Sequence, residues 1–367
     1  MINILYVFRR KRTERLDLYR QGFGPDEMLY GMNHFDDQRF VVDYVEGEAD
    51  RPAWWKNLVR PLQRSIARPI RMGFALDMIL ENLSRFKKAD VIISTVDACG
   101  LPITLLKRLG IIRAPIIYFS QGLSDRVEAL SRRLWLQHFY KTFYSWLLRA
   151  CESLFTLGEG AAQHLVRIMD LRGKEVKVIP FGVDIEFWHP ADPGAPVGDY
   201  ILSVGSDPAR DYDRLLQAIG DRKLKIVTRL PLEIADPFKQ VEIQSNISDI
   251  ELRALYQGAQ FVVIPLKDVA QPSGQSVALQ SMACGKAVIL TSTHGLWEPE
   301  IIKHLDVVYL VRPNDAQSLA QAIEDLATNS TLVEKLACNS LALVRQRYNS
   351  TEFGKYIQAN LPSYDRH

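Results

Sequence analysis

Short apolar runs alternate with helix-period segments along the whole chain, and the alternation restarts once, which restricts the fold to two successive parallel α/β sheets. The first series places strands at Asn3–Val7, Arg39–Tyr44, Val91–Thr95, Ile116–Phe119 and Ser153–Thr156, with a sixth near Lys177–Ile179. A stretch from Pro180-Phe181-Gly182 to Pro193-Gly194-Ala195-Pro196 then has the strongest linker composition in the sequence. The second series predicts strands at Tyr200–Val204, Lys225–Thr228, Phe261–Ile264, Ala287–Leu290 and Val307–Leu310. Its expected helices cover Asp213–Ile219, Asp249–Tyr256 and Gln275–Cys284. A length of 367 residues exceeds one comfortable core and suits two domains. Two such sheets joined by a hinge predict a cleft facing the carboxyl ends of their strands, where open α/β sheets bind ligands.

Several function classes are excluded or disfavoured. A dinucleotide site needs GxGxxG directly after a strand, but Arg9-Arg10-Lys11-Arg12 follows the first one, and Gly22-Phe23-Gly24 lacks the third glycine. No GxxxxGK[ST] phosphate loop occurs. The four cysteines (Cys99, Cys151, Cys284 and Cys338) are scattered, which argues against a zinc or disulfide framework and suits a reducing compartment. Met1 leads straight into an apolar run whose basic residues come last, so the start reads as a buried strand instead of a signal peptide. With no apolar stretch near the ~18 residues of a spanning helix, the expected location is cytoplasmic.

Charge is uneven. Residues 1–150 hold 24 Lys/Arg against 16 Asp/Glu, while residues 151–367 hold 21 against 27. A basic first half suits anionic partners, though an uneven solvated surface accounts for it equally well. Within Arg51–Met72 there is no acid, and Lys56, Arg60, Arg64 and Arg68 recur every fourth residue beside Trp54, Trp55, Leu58 and Leu62. That is the pattern of a membrane-surface segment, expected as two short helices because Pro61 and Pro69 interrupt it. A second aromatic stretch, from Trp135 to Trp146, reads more readily as a core-facing helix. No nucleic-acid motif is present.

The most specific segment is the strand Phe261–Ile264, then Gln271-Pro272-Ser273-Gly274-Gln275-Ser276, a helix carrying Gln280, and a stop at Gly285. Backbone N–H groups at such a helix start suit a phosphate. An ordinary βαβ unit with a serine cap explains the same pattern. This segment resembles the donor-binding signature of glycosyltransferase family 4, built on the GT-B fold. Three other stretches agree with it: Val178-Ile179-Pro180-Phe181-Gly182-Val183-Asp184, Ile201-Leu202-Ser203-Val204-Gly205 with Arg210, and Ile116-Ile117-Tyr118-Phe119-Ser120-Gln121-Gly122. The resemblance is strong over roughly residues 90–365.

From the resemblance follow two Rossmann-like domains facing an interdomain cleft. It implies an acceptor domain at 1–180, a linker at 181–198 and a donor domain at 199–350. A final helix at 351–367 then returns to the first domain. It implies a hexosyltransferase-like enzyme moving a sugar from a nucleotide-sugar donor to a lipid-linked or glycan acceptor, with retention and without cofactor or metal. Arg210 and Gln121 are then the catalytic candidates. Gly205, Ser206, Arg229, Ser273, Gly274, Gln275, Ser276 and Gln280 are expected to bind the donor. The sequence departs from the family in carrying Gln280 and Pro272 where two glutamates are common, Ser206 for an arginine, and Gln121 for a histidine. Asp211-Tyr212-Asp213 mimics a metal motif but reads better as a helix cap. A nucleotide-sugar epimerase and a non-catalytic binding protein on the same fold are the alternatives.

Overall fold

The computed structural model describes residues 1–47, 54–234 and 240–362. The chain forms two compact units. The first comprises Met1–Leu16, Met28–Ile179 and Gly354–His367; the second comprises Asp17–Glu27 and Pro180–Phe353.

In the first unit six strands form one parallel sheet: β1 Ile2–Val7, β2 Phe40–Val45, β3 Val91–Ser94, β4 Ile116–Phe119, β5 Ser153–Thr156 and β6 Val176–Val178. Their spatial order is β2-β1-β3-β4-β5-β6. The central strands β3 and β4 are buried along their whole length, which explains why they read as unbroken apolar runs instead of alternating ones. Strand β2, at the edge, alternates in burial. Ile92, Ile116, Tyr118, Leu123, Tyr144 and Leu147 belong to the core packed beneath the helices of this unit.

The second unit repeats the architecture with β7 Ile201–Val204, β8 Leu224–Val227, β9 Val241–Gln244, β10 Val262–Ile264, β11 Val288–Thr291 and β12 Tyr309–Val311. Its order is β12-β11-β10-β7-β8-β9, again all parallel. The chain therefore winds one way from β7 and the other way from β10. The gap between their carboxyl ends is the position at which such sheets take ligands. Strand β9 lies outside the strands expected from sequence. As an edge strand it carries Glu242 and Gln244, and polar residues at an edge erase the apolar signal. Ser248 caps the helix Asp249–Gly258 and exchanges hydrogen bonds with Glu251 in a capping box.

Pro180–Pro196 belongs to the second unit, and Phe181, Val183, Phe187 and Trp188 are buried within it. Val183 pairs with Asn349, and Gly182 lies so close to the Asn349 carbonyl that no side chain fits. The helix Ser350–Ala359 has its first turn in the second unit and its remainder in the first.

Lys56–Ala67 is one helix with Pro61 inside it, not two pieces. Proline costs a single interior hydrogen bond here, and Val59, Ile66 and Ala67 pack against the core of the first unit and hold the helix through it. Arg51, the start of the basic stretch, lies outside the described residues.

Candidate functional site

The end of β7 sets up the centre of the site. Gly205 follows it with φ 142, a conformation open to glycine, and a Cβ there would fall inside the Arg210 guanidinium. Arg210, only 5% exposed, donates from Nε to the Val204 carbonyl at 3.0 Å and from Nη1 to Ser273 Oγ at 3.3 Å. Its own backbone pairs with Leu266 just past β10. Among the described residues no carboxylate forms an ion pair with it, and burial pulls its basicity below the ordinary arginine range. A buried cation partnered only by neutral groups is costly unless an anion arrives.

The loop after β10 supplies the opposite wall. Gly274, at φ 80, stands immediately before the helix Gln275–Ala283, with a notional Cβ 3.3 Å from Arg210 Nη1. No side chain caps this helix, so the serine cap that sequence alone allowed is not formed. Ser206 accepts from the Arg229 backbone at 2.9 Å, while the Arg229 side chain is exposed. Gln275 is buried and Ser276 half-buried. The structure thus brings Gly205, Arg210, Ser273 and Gly274 into contact at the β7/β10 gap, with Ser206 and Arg229 beside them. Asp211 and Asp213 do not cap the following helix by side chain; Asp211 pairs with Arg214 at 3.0 Å, because its carboxylate turns along the helix surface.

Gln280 lies farther down the same helix and meets residues that sequence reasoning missed. Its Nε2 donates to Glu27 Oε1 at 2.9 Å, and Tyr256 OH donates to its Oε1 at 3.3 Å. Glu27, 1% exposed, also accepts from Trp188 Nε1 at 2.9 Å and from the Asp184 backbone at 3.3 Å. Desolvation outweighs these donors and pushes the Glu27 carboxyl up to about 8. Burial raises Asp184 as well. No spacing rule links Glu27 to Gln280, which lie 253 positions apart.

Gln121 belongs to the first unit, at the carboxyl end of β4. Its backbone N–H donates to buried Asp97 at 2.9 Å, and its amide donates to the Thr95 carbonyl at 2.6 Å and to Tyr30 OH at 2.8 Å. Tyr118 and Ser120 also donate to Asp97, whose carboxyl is nonetheless raised by burial. The Gln121 amide nitrogen is thereby committed, leaving its oxygen as the group available to a ligand.

Among the membrane-surface candidates, Lys56 is corrected: it is buried and paired with Glu81 at 3.0 Å. Together with half-buried Arg60 it lines a cavity of about 690 Å³, in which Arg85 is likewise paired, with Asp43. Lys56 and Arg60 point inward because they stand on the helix face that carries Gln63 to the interior. Trp54, Arg64 and Arg68 are exposed, and Trp55 is half-buried.

Residues 206–329 match the family model of glycosyl transferases group 1. That match covers about a third of the chain, and the fold as a whole is GT-B. No curated protein sequence matches the chain. Among solved structures it is similar to sucrose-phosphate synthase from Thermosynechococcus elongatus, at 15% identity, 98% coverage of both chains and a TM-score of 0.68. It is also similar to Anabaena HepE in complex with UDP and glucose, at 16% identity, with 98% of this chain and 99% of that one covered and a TM-score of 0.65. The N-terminal domain of Candida albicans trehalose-6-phosphate phosphatase is similar too, at 13% identity, 98% and 96% coverage, and a TM-score of 0.65. Likeness at this identity establishes the shared fold; the residues of the site must carry the chemistry.

Two outcomes follow. Gly205→Ala, by evicting the guanidinium, should lower both melting temperature and turnover, whereas alanine at exposed Gly110 should cost stability alone. Glu27 ionises near 4.5 when unfolded and about 8 when folded, so between these values the folded state holds the extra proton and stability falls as pH rises. Across that window the loss is about 4 kcal/mol. Glu27→Gln should flatten the decline, so its melting temperature gains on the parent between pH 5 and 8; parallel curves would contradict the assignment.

Proposed function

We propose that this enzyme transfers a sugar from a uridine diphosphate sugar to a hydroxyl of a lipid-linked or glycan acceptor, with retention and without a metal. The observation that carries the reading is Arg210, a buried guanidinium without a carboxylate partner, set between Gly205 and the Ser273-Gly274 helix start. As the sugar–phosphate bond breaks, negative charge gathers on the departing diphosphate. A fixed cation and oriented N–H groups in a site of low dielectric stabilise that charge without having to reorganise. The acceptor oxygen bonds to the sugar carbon, its proton is released, and UDP departs. Support for uridine comes from the similar HepE structures, in complex with UDP and glucose and with UDP-glucose.

Arg210→Ala should weaken UDP binding and reduce turnover by about 100-fold or more, as for loss of one preorganised charge donor, with the melting temperature unchanged or raised. A chelator should leave transfer unaffected in the same assay. Loss of stability with full activity would make Arg210 a structural residue. Activity lost to chelator and restored by magnesium would transfer the charge-stabilising role to a metal.

The acceptor reading draws on a second surface, in the first unit. Trp54 (78% exposed), Leu58 (70%) and Leu62 stand at helical spacing on the outer side of one helix, with Arg64 and Arg68 exposed beside them. Tyr140, on the helix Leu134–Leu148, donates to the Ser65 and Ile66 carbonyls at 3.3 and 3.1 Å, so the two helices are neighbours. That second helix buries Tyr140, Tyr144, Leu147 and Leu148 while exposing Leu134, Trp135 and Phe139. It is therefore only partly the core helix its sequence suggests. Exposed aromatics flanked by arginines suit an anionic bilayer surface. Among the described residues no helix is long and apolar enough to cross a membrane.

The enzyme should sediment with anionic vesicles, stay in solution with neutral ones, and be released by high salt. Trp54→Ser with Leu58→Ser should abolish sedimentation without lowering the melting temperature. Equal binding to both vesicle types, or to neither, would overturn this surface and favour a soluble acceptor.

A further inference from the structure

The family's customary glutamate is replaced by Gln280, yet a carboxyl group stands at hydrogen-bond distance from it. We infer that Glu27 is a positioning residue of the donor site, acting through Gln280; this rests on the donor-binding reading above.

The argument begins with what each partner can do. An indole N–H only donates, and Trp188 aims its own at Glu27 Oε1. Glu27 Oε1 is therefore an acceptor, and it can engage only the NH2 end of Gln280. On the other side Tyr256 OH donates to the Gln280 oxygen. The amide is held from both ends in one of its two orientations, by groups that are all buried. One Gln280 N–H and one lone pair remain for a ligand hydroxyl, with their directions set by Glu27. Remove Glu27 and only the 3.3 Å contact from the rotatable Tyr256 hydroxyl opposes the flipped amide, which would present the wrong group.

The same geometry explains the substitution at position 280. A glutamate there would turn an acceptor toward Glu27 Oε1, itself an acceptor, and the hydrogen bond between them would be lost unless the new carboxyl kept a proton to donate. An amide at 280 and an acid at 27 form a complementary pair in its place. The acid comes from Asp17–Glu27, which packs as part of the second unit although the sequence of that unit otherwise starts at Pro180.

Calorimetric UDP binding tests this directly. Glu27→Ala and Gln280→Ala should each weaken affinity about tenfold, the size of one well-placed hydrogen bond. Their double variant should be no weaker than either alone, because both remove one device. Glu27→Gln, which keeps an acceptor, should stay within about threefold of the parent. Gln280→Glu should lose affinity, because its carboxylate has no N–H to give Glu27 Oε1. If Glu27→Ala fails to fold, Glu27→Met keeps the volume, lacks the acceptor and should behave the same way.

Unchanged affinity in Glu27→Ala or Glu27→Met, with Gln280→Ala weakened, would overturn the inference. Additive losses would overturn it equally. Arg210→Ala separates the two levels. If it weakens UDP while the Glu27 variants do not, the donor site stands and the role of Glu27 falls. If the parent does not bind UDP, or neither Arg210→Ala nor Gln280→Ala affects binding, the donor reading falls and this one with it.

Discussion

A guanidinium taken out of water loses several kcal/mol of hydration, and a protein ordinarily recovers that with a carboxylate. Around Arg210 the recovery is left incomplete. The Val204 carbonyl and the Ser273 hydroxyl satisfy two of its donors, and a glycine at 205 lets the planar group lie against the backbone. Tyr212 braces the same loop by donating to the Gly205 carbonyl at 2.7 Å. Among the described residues no carboxylate closes onto the charge, and Asp207 favours it only through space. On the reading proposed above, the diphosphate of a ligand supplies the negative charge. The strand order places it there, because the connections leaving the adjacent strands β7 and β10 run to opposite sides and leave room above their ends.

How much of this is legible in sequence depends on whether the signal is local. Buried central strands announce themselves as apolar runs, so β3, β4, β5 and β7 are legible almost to the residue. The glycine at 205 and the Ser273-Gly274 turn are equally legible, because a close approach or a positive φ leaves a glycine at a fixed offset from a strand. Edge strand β9 is not, since solvent on one side lets Glu242 and Gln244 stand where an inner strand would need apolar groups. Lys56 misleads for a related reason. Its place in a basic ladder predicts a solvated charge, but the helix turns that position toward Glu81, an acid beyond the ladder, and buries the lysine against that exposed carboxylate.

Glu27 is illegible for a different reason. Its burial follows from two stretches of chain meeting in one compact unit, and neither carries a pattern that depends on the other. The only trace in sequence is indirect. Gln280 departs from a position where the resembling family favours an acid, and a lost acid in a binding site invites a search for a replacement. A sequence can pose that question. Only the distance between Glu27 and Gln280 answers it.

The two units also divide the charge. The first half's excess of Lys/Arg is not spread evenly: Lys56 and Arg85 are paired with Glu81 and Asp43 beside one cavity, while Arg64 and Arg68 face solvent near Trp54 and Leu58. Pairing on one side leaves the exposed arginines on the same side of the helix as its exposed apolar residues. On the membrane reading proposed above, electrostatic attraction and aromatic insertion act at the same place. The acidic second half carries no comparable exposed cluster of aromatics among its described residues. On the reading proposed above, membrane contact falls to the unit of Gln121 and donor chemistry to the unit of Arg210.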